Sequence, residues 1–292
     1  MPLIQIGEPG DWPKLMCWHF LMLRGNWLSQ DQKIILSCSS VNPNNLLLKY
    51  ADDVVVFCPN RHLLTEEHGN IISWSSDNQL LLNIKKCQHM SFGQSRGSPI
   101  FIKGITTSSC VKYLGVWLSS DLKWSQHIFF VIKKASQSLY LLYLLKPISS
   151  KYELVCAYNA DTRSLIEYTG PLIVTLPQNL AAKYNKIQPR AHRIICGFDC
   201  DNFCLPSLVN RRINYSIKLF NKALEDSSHI LHDITPPYGH TGNRSVLFQC
   251  KSQRHLNSFI PACTIIFNNC LWFRPHPDVQ IVNTFYFNIH VF

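Results

Sequence analysis

The chain has 292 residues, 46% hydrophobic and 16% charged, with 28 Lys and Arg against 18 Asp and Glu. That is material for one large domain or two modest ones, and it excludes wholesale disorder, which needs low hydrophobicity with high charge. No run approaches the ~18–20 apolar residues of a membrane span, and the first residues carry Glu8 and Asp11 but no base, unlike a secretory leader. An intracellular setting with no membrane partner is expected. The 12 cysteines are scattered, so reduced, packed thiols are expected rather than a disulfide framework.

Charge is unevenly placed. Residues 1–118 hold 10 bases and 8 acids, whereas residues 119–222 hold 14 bases and 6 acids. A basic block with Tyr and Leu between its charges suits a face that meets a phosphate backbone; the plainer alternative is a solvated helical surface.

Residues 1–45 contain Pro2, Pro9, Pro13 and Pro43 without sustained periodicity, and no element is assigned there. Two apolar runs follow, 46–50 and 54–57, joined by Ala51-Asp52-Asp53. They read as a tight hairpin with acids at its tip and arms buried on both faces. A helix is predicted over 65–76, with Thr65 as cap, Glu66 and Glu67 in its first turn, and Ile71, Ile72 and Trp74 facing inward. A short strand is expected at 88–92, then a hairpin of 100–105 with 111–118, connected by 106–110. Past Ser119 the period becomes helical. Ile128, Val131, Ile132, Ala135, Leu139, Leu142 and Leu145 repeat near every 3.6 residues over 124–145, and Pro147 stops the pattern. Further helices are predicted over 151–168, 178–196 and 206–225, the middle one kinked or split by Pro189. From residue 227 onward, Pro236-Pro237-Tyr238-Gly239 and scattered polar residues predict an irregular tail.

Two groups of residues suggest metal chemistry. His192, Cys196, Cys200 and Cys204 recur every four residues. On one continuous helix the outer two would stand roughly 18 Å apart, too far for one tetrahedral zinc, so packed thiols are the favoured reading. Asp52 and Asp53 are adjacent carboxylates beside apolar strands, where mutual repulsion and desolvation call for a compensating cation. A hard divalent ion such as Mg²⁺ fits, because it takes oxygen ligands and accepts substrate phosphate as another. An Asp-Asp turn that merely caps its hairpin is the alternative.

The neighbours of that pair carry a family resemblance. Lys49-Tyr50-Ala51-Asp52-Asp53-Val54-Val55-Val56 resembles the aspartate motif of reverse transcriptases, in the Ala-Asp-Asp form of non-LTR (LINE-type) retrotransposons. Trp74, then Leu80-Leu81-Leu82-Asn83-Ile84-Lys85-Lys86 leading into Gln88-His89-Met90-Ser91-Phe92, is similar to the motif that follows it. Val111-Lys112-Tyr113-Leu114-Gly115-Val116-Trp117-Leu118, with Leu122, Trp124, His127 and Ile128 after it, resembles the primer-gripping hairpin and the start of the thumb. Ile187-Gln188, Ile194-Ile195-Cys196-Gly197, Arg254, Ser258-Phe259-Ile260-Pro261 and Phe267-Asn268-Asn269 resemble later parts of such open reading frames more loosely.

The resemblance implies an α+β fold: a partial palm over 46–118, a basic helical thumb-like domain over 119–226 and an irregular tail over 227–292, after an unassigned segment 1–45. It implies that Asp52 and Asp53 hold catalytic Mg²⁺ and that Tyr50 lies under the primer end. Lys86 would donate a proton to leaving pyrophosphate, with Lys85 as the alternative alignment. Tyr113, Leu114 and Gly115 would hold the primer strand, core packing being the plain alternative for Tyr113 and Trp117. The implied partners are an RNA template, a DNA primer and, where fingers are supplied, deoxynucleotides. The family pattern has an earlier metal-binding aspartate and a Pro-Gln-Gly loop, and neither stands before residue 46. The stretch is therefore expected to be the later part of an RNA-directed DNA polymerase, inactive by itself. A non-catalytic nucleic-acid-binding module and a non-functional transposon remnant are the alternatives.

Overall fold

The computed structural model describes residues 5–6, 40–43, 45–50, 53–58, 61–78, 82–92, 104–197, 205–229, 231–237, 250 and 256–270. Helices dominate, with small two-stranded sheets, in keeping with the α+β expectation. The strands are β1 (Gln5–Ile6), β2 (Leu46–Tyr50), β3 (Asp53–Phe57), β4 (Gln88–His89), β5 (Ser91–Phe92), β6 (Thr106–Thr107), β7 (Cys110–Tyr113) and β8 (Val116–Ser119). The helices are α1 (Arg61–Asp77), α2 (Ser125–Leu145), α3 (Lys151–Ala157), α4 (Ser164–Glu167), α5 (Gln178–Asn185), α6 (Ile187–Cys196), α7 (Leu208–Glu225) and α8 (Phe259–Cys270).

The first predicted hairpin forms. β2 pairs antiparallel with β3 from Leu46 opposite Phe57 to Tyr50 opposite Asp53. Asp53 thus opens the second strand rather than standing in the turn, and Ala51 and Asp52 lie outside the described residues. Burial on both faces holds for β3. Val55 and Phe57 enter a large core shared with the helices, while Val54, Val56 and Cys58 enter a second core with Leu64 and Ile71 of α1. Each such side chain contributes roughly 1.5–3 kcal/mol by leaving water.

Several elements differ from the sequence pattern. Helix α1 begins at Arg61, so Thr65 is an exposed interior residue and not a cap. The cause is Leu64, fully buried two turns before Ile71, which draws the first turn onto the second core. Ile72, expected to face inward, is 41% exposed, while Trp74 packs at the edge of that core. The 88–92 strand is two short strands around the buried Met90. β4 pairs parallel with β6 and β5 parallel with β1. Of the predicted pairing of 100–105 with 111–118, residues 100–103 lie outside the described residues; 111–118 folds on itself as a hairpin, as the motif resemblance implies, with Tyr113 opposite Val116. The chain reverses at Leu114 (φ 44°) and Gly115 (φ 82°), the pair of positive φ angles that a two-residue hairpin turn requires.

The helical half follows its periodicity closely. α2 buries Ile128, Val131, Ala135, Leu139 and Leu142 along one side. Among the described residues it is the one helix long and apolar enough to cross a membrane, and its buried ridge belongs to the shared core. The predicted 151–168 helix contains a π-helical stretch, Tyr158–Arg163, between α3 and α4. The expected split of 178–196 falls at Lys186, which lets Pro189 sit in the first turn of α6, where its missing N–H costs nothing. The tail is not irregular throughout. Phe259–Cys270 is helical because Phe259, Ile260 and Cys263 bury against the same core, beside Phe220 of α7.

One polar residue anchors the segment leading into β2. Glu67 of α1 is fully buried and accepts hydrogen bonds from Ser40 Oγ (2.6 Å), Asn45 Nδ2 (2.7 Å), the Val41 N–H (3.2 Å) and Asn70 Nδ2 (3.2 Å). Removing the carboxylate strands those donors, at ~1–3 kcal/mol for each left unsatisfied. Glu67→Ala is predicted to lower stability by about 3 kcal/mol in urea unfolding, against under about 0.5 kcal/mol for the exposed neighbour Glu66→Ala.

Candidate nucleic-acid and aspartate site

The strand that carries Asp53 also determines which way its side chain stands. Side chains alternate along a strand, so Asp53 shares the face of Val55 and Phe57. That face enters the core formed with Phe92, Val111, Tyr113 and Val116. Asp53 is half-buried and sits opposite Tyr50 in the register. Asp52 lies outside the described residues, as does the side chain of Tyr50.

Lys86 ends a short 3₁₀ turn, Ile84–Lys86, and is exposed. Its neighbour Cys87 is buried against Val54 and Val56 on the opposite face of β3. Cys87 thus belongs to the core on one face of β3, and Tyr113 to the core on the other. Among the described residues Lys86 has no carboxylate within ion-pair distance, which leaves its ammonium available.

The hairpin turn is strained and braced. Tyr113 is 3% exposed, so its ring is core, as the plain reading held. Leu114 occupies left-handed backbone that a branched side chain rarely adopts. Its carbonyl accepts a hydrogen bond from the Tyr168 hydroxyl at 2.6 Å. Gly115 is exposed, and a Cβ there would lie 3.5 Å from the Tyr168 ring. A second brace enters from α2. The Trp117 N–H donates to His127 Nδ1 (3.4 Å), so the neutral ring carries its proton on Nε2, which donates to Thr169 Oγ1 (3.0 Å). Burial, aided by the nearby Lys112 charge, pushes the His127 pKa down from 6.5 to about 4. Phe130 of α2 receives the Trp117 ring edge-on at 6.2 Å and the Lys112 ammonium at 5.1 Å.

His127 was visible in the motif, but its role as a structural brace was not; Tyr168 and Thr169 carried no signal, because Tyr168 reaches the hairpin across 54 residues of sequence and Thr169 reaches His127 across 42. The oxygen chemistry of Asp53 suits a hard cation, yet one carboxylate is too few to hold Mg²⁺. Among the described residues no group of three or more His, Cys, Asp or Glu comes together, and Cys200 and Cys204 of the proposed zinc set lie outside them. No metal-dependent step follows from this geometry.

Basic residues gather elsewhere. α2, α5 and α6 contain no carboxylate at all, and Lys133, Lys183, Lys186 and Arg190 are exposed on or between them. Arg190 of α6 donates to Ser136 of α2 at 3.4 Å, so these bases belong to one packed set of helices.

Residues 26–118 match the protein family described as reverse transcriptase (RNA-dependent DNA polymerase), and residues 119–292 lie outside the match. The match includes the β2–β3 hairpin and ends at residue 118, within β8. It starts at residue 26, inside the segment that the motif resemblance left unassigned. Proteins of this family generally depend on a divalent metal and bind an RNA template and a primer. No curated protein and no solved structure matches the chain.

Two measurements check the braces. Gly115→Ala forces a Cβ into left-handed backbone and is predicted to lose about 1–2 kcal/mol, while Tyr168→Phe loses about 1 kcal/mol with the hydrogen bond to the Leu114 carbonyl, both by denaturant midpoint. For His127 the unfolded ring protonates near pH 6.5 and the folded one only near 4, so the unfolded state takes up the extra proton between them. Stability conferred by the neutral ring is full above pH 6.5 and falls, by on the order of 3 kcal/mol, as pH drops toward 4. His127→Gln, which keeps an acceptor and a donor, should flatten the wild-type difference over that window.

Proposed function

We propose that the chain is the later part of the reverse transcriptase of a non-LTR (LINE-type) retrotransposon: the end of the palm over 46–118, a thumb over 119–226 and a tail over 227–292. The observation that carries this reading is the placement of Asp53. It heads a strand locked on both faces, on the side that shares its core with the 113–115 hairpin. In this reading Asp52 and Asp53 contribute to holding Mg²⁺, and Lys86 supplies a proton to leaving pyrophosphate. Tyr50 lies beneath the primer end. The Leu114–Gly115 turn presents backbone to the primer strand, a use consistent with an exposed glycine held in strained geometry. Tyr113 then acts by positioning that turn from the core. Mg²⁺ would supply charge stabilisation for nucleotidyl transfer, and its ligand set needs a carboxylate beyond the adjacent pair.

A second reading, a nucleic-acid-binding module without chemistry, is favoured by the carboxylate-free helices. Their exposed bases grip phosphate whether or not the aspartates react.

Both readings meet one experiment on the 292-residue chain. An RNA–DNA duplex should bind with affinity that falls steeply as salt rises, and Lys133→Gln, Lys186→Gln and Arg190→Gln should each reduce the log–log salt slope by about 1. Absent or salt-independent binding overturns both. Primer extension on an RNA template with Mg²⁺ and deoxynucleotides separates them from full catalysis. No extension above background is expected; extension abolished by Asp53→Ala would show the chain to be a polymerase on its own.

A further inference from the structure

A cavity of about 500 Å³ lies where the end of α4 and the following Tyr168–Gly170 segment face α7. Its size suits a small ligand, since such sites span ~300–1,000 Å³. Residues 208, 211, 212, 215 and 218 all line it from α7, at three- and four-residue steps that set them on one side of the helix.

The charges lining it do not cancel. Glu167 is matched by Arg211, which grips it with two nitrogens (Nη2 to Oε2 at 2.9 Å), and by Arg163 at 3.3 Å. Those pairings hold the Glu167 carboxyl below its usual range against the opposing effect of burial. Arg212 and Lys218 are left over. Arg212 is only 8% exposed, yet among the described residues no carboxylate meets it. Its guanidinium, with five N–H groups to satisfy, donates to Asn185 Oδ1 at 3.2 Å and lies 5.1 Å above the ring of Tyr184. Tyr184 offers no balancing charge, because burial holds its phenol neutral. A buried, uncompensated guanidinium is costly, and an anion with several oxygens is the ligand that relieves it. Tyr215, 49% exposed, stands beside Lys218 on the same wall and offers a flat surface to a ring.

We propose that this cavity binds a nucleotide, its phosphate on Arg212 and Lys218 and its base against Tyr215, at a site separate from the Asp53 strand. The proposal is independent of the polymerase reading. The nucleotide is either free or one unit of a strand; the recognising chemistry is the same, and the titration separates the two.

The test uses the full chain and isothermal titration with adenosine 5′-monophosphate, adenosine, inorganic phosphate and a short oligodeoxythymidylate with and without a 5′-phosphate. The monophosphate should bind saturably, adenosine should not, and inorganic phosphate should bind at least tenfold more weakly. Lys218→Ala and Tyr215→Ala, both at exposed positions, should each weaken the monophosphate about tenfold or more with an unchanged thermal midpoint. Arg212→Lys, which keeps the charge and loses the fork, should do the same; where it lowers the thermal midpoint, the two exposed variants decide. An oligonucleotide that competes with the monophosphate only when 5′-phosphorylated assigns the site to strand ends; competition without it assigns an internal unit; no competition assigns the free nucleotide. Two results overturn the proposal: no saturable binding of the monophosphate, or binding of inorganic phosphate equally tight and indifferent to Tyr215→Ala.

Discussion

The structure around Asp53 depends on a strand with no free face. Val55 and Phe57 point into one core, and Val54, Val56 and Cys58 into the other. A slip of one residue would exchange the two sets, so register is enforced from both sides at once. The carboxylate at the head of that strand inherits this precision without contributing to it. The same two cores take in Cys87, next to Lys86, on one side and Tyr113, at the head of the 114–115 turn, on the other.

Apolar packing fixes the strand, but polar contacts fix what surrounds it. Glu67 gathers the residues that enter β2, and its buried carboxylate is tolerated because four groups donate to it. His127 does the corresponding work at the second hairpin. It is held neutral by burial, which lets one nitrogen accept from the Trp117 backbone while the other donates to Thr169. The Tyr168 hydroxyl completes the bracing by holding the Leu114 carbonyl. In each case a helix reaches out to a turn or strand end, where backbone ladders stop and backbone groups would otherwise be left to water.

These braces mark the limit of what was legible in the sequence. The β2–β3 hairpin could be read because continuous apolar arms flank a short acidic connection, a local pattern. Helix α2 could be read because a ridge of its apolar residues keeps a 3.6-residue period and Pro147 follows it, although Phe129, Tyr140, Leu141, Tyr143 and Leu144 stand exposed off that ridge. The start of α1 was missed because Thr65-Glu66-Glu67 offers the more conspicuous start, whereas the turn Arg61–Leu64 is helical with Leu64 buried in the second core. The turn at Leu114–Gly115 was legible through the motif resemblance, which reads 111–118 as a hairpin, but not from the apolar pattern, which reads 111–118 as one arm paired with 100–105. Leucine is a poor residue for left-handed backbone, and only a tyrosine far along the chain explains why it is held there. Helix α8 fell within a segment whose prolines and polar residues suggested none, and it is stabilised by a core assembled from other elements. Asp53 was found because its signal is adjacent to it. Arg212 was not, although its repeat along α7 is regular, because whether an arginine is buried and unbalanced depends on what packs opposite.

On the readings proposed above, the two basic features of the helical half would meet phosphate by different physics. The exposed lysines and arginines on α2, α5 and α6 act through water, where charges more than ~8–10 Å apart are screened at physiological salt. They can hold a backbone anywhere along its length and cannot tell one unit from the next. Arg212 is largely buried, so an anion reaching it would meet a less screened charge with fixed N–H directions, but only if it fits the cavity and sheds its own water. The first arrangement favours grip and the second favours discrimination. They are not fully separate, since α5 carries both the exposed Lys183 and the Tyr184 and Asn185 that flank Arg212.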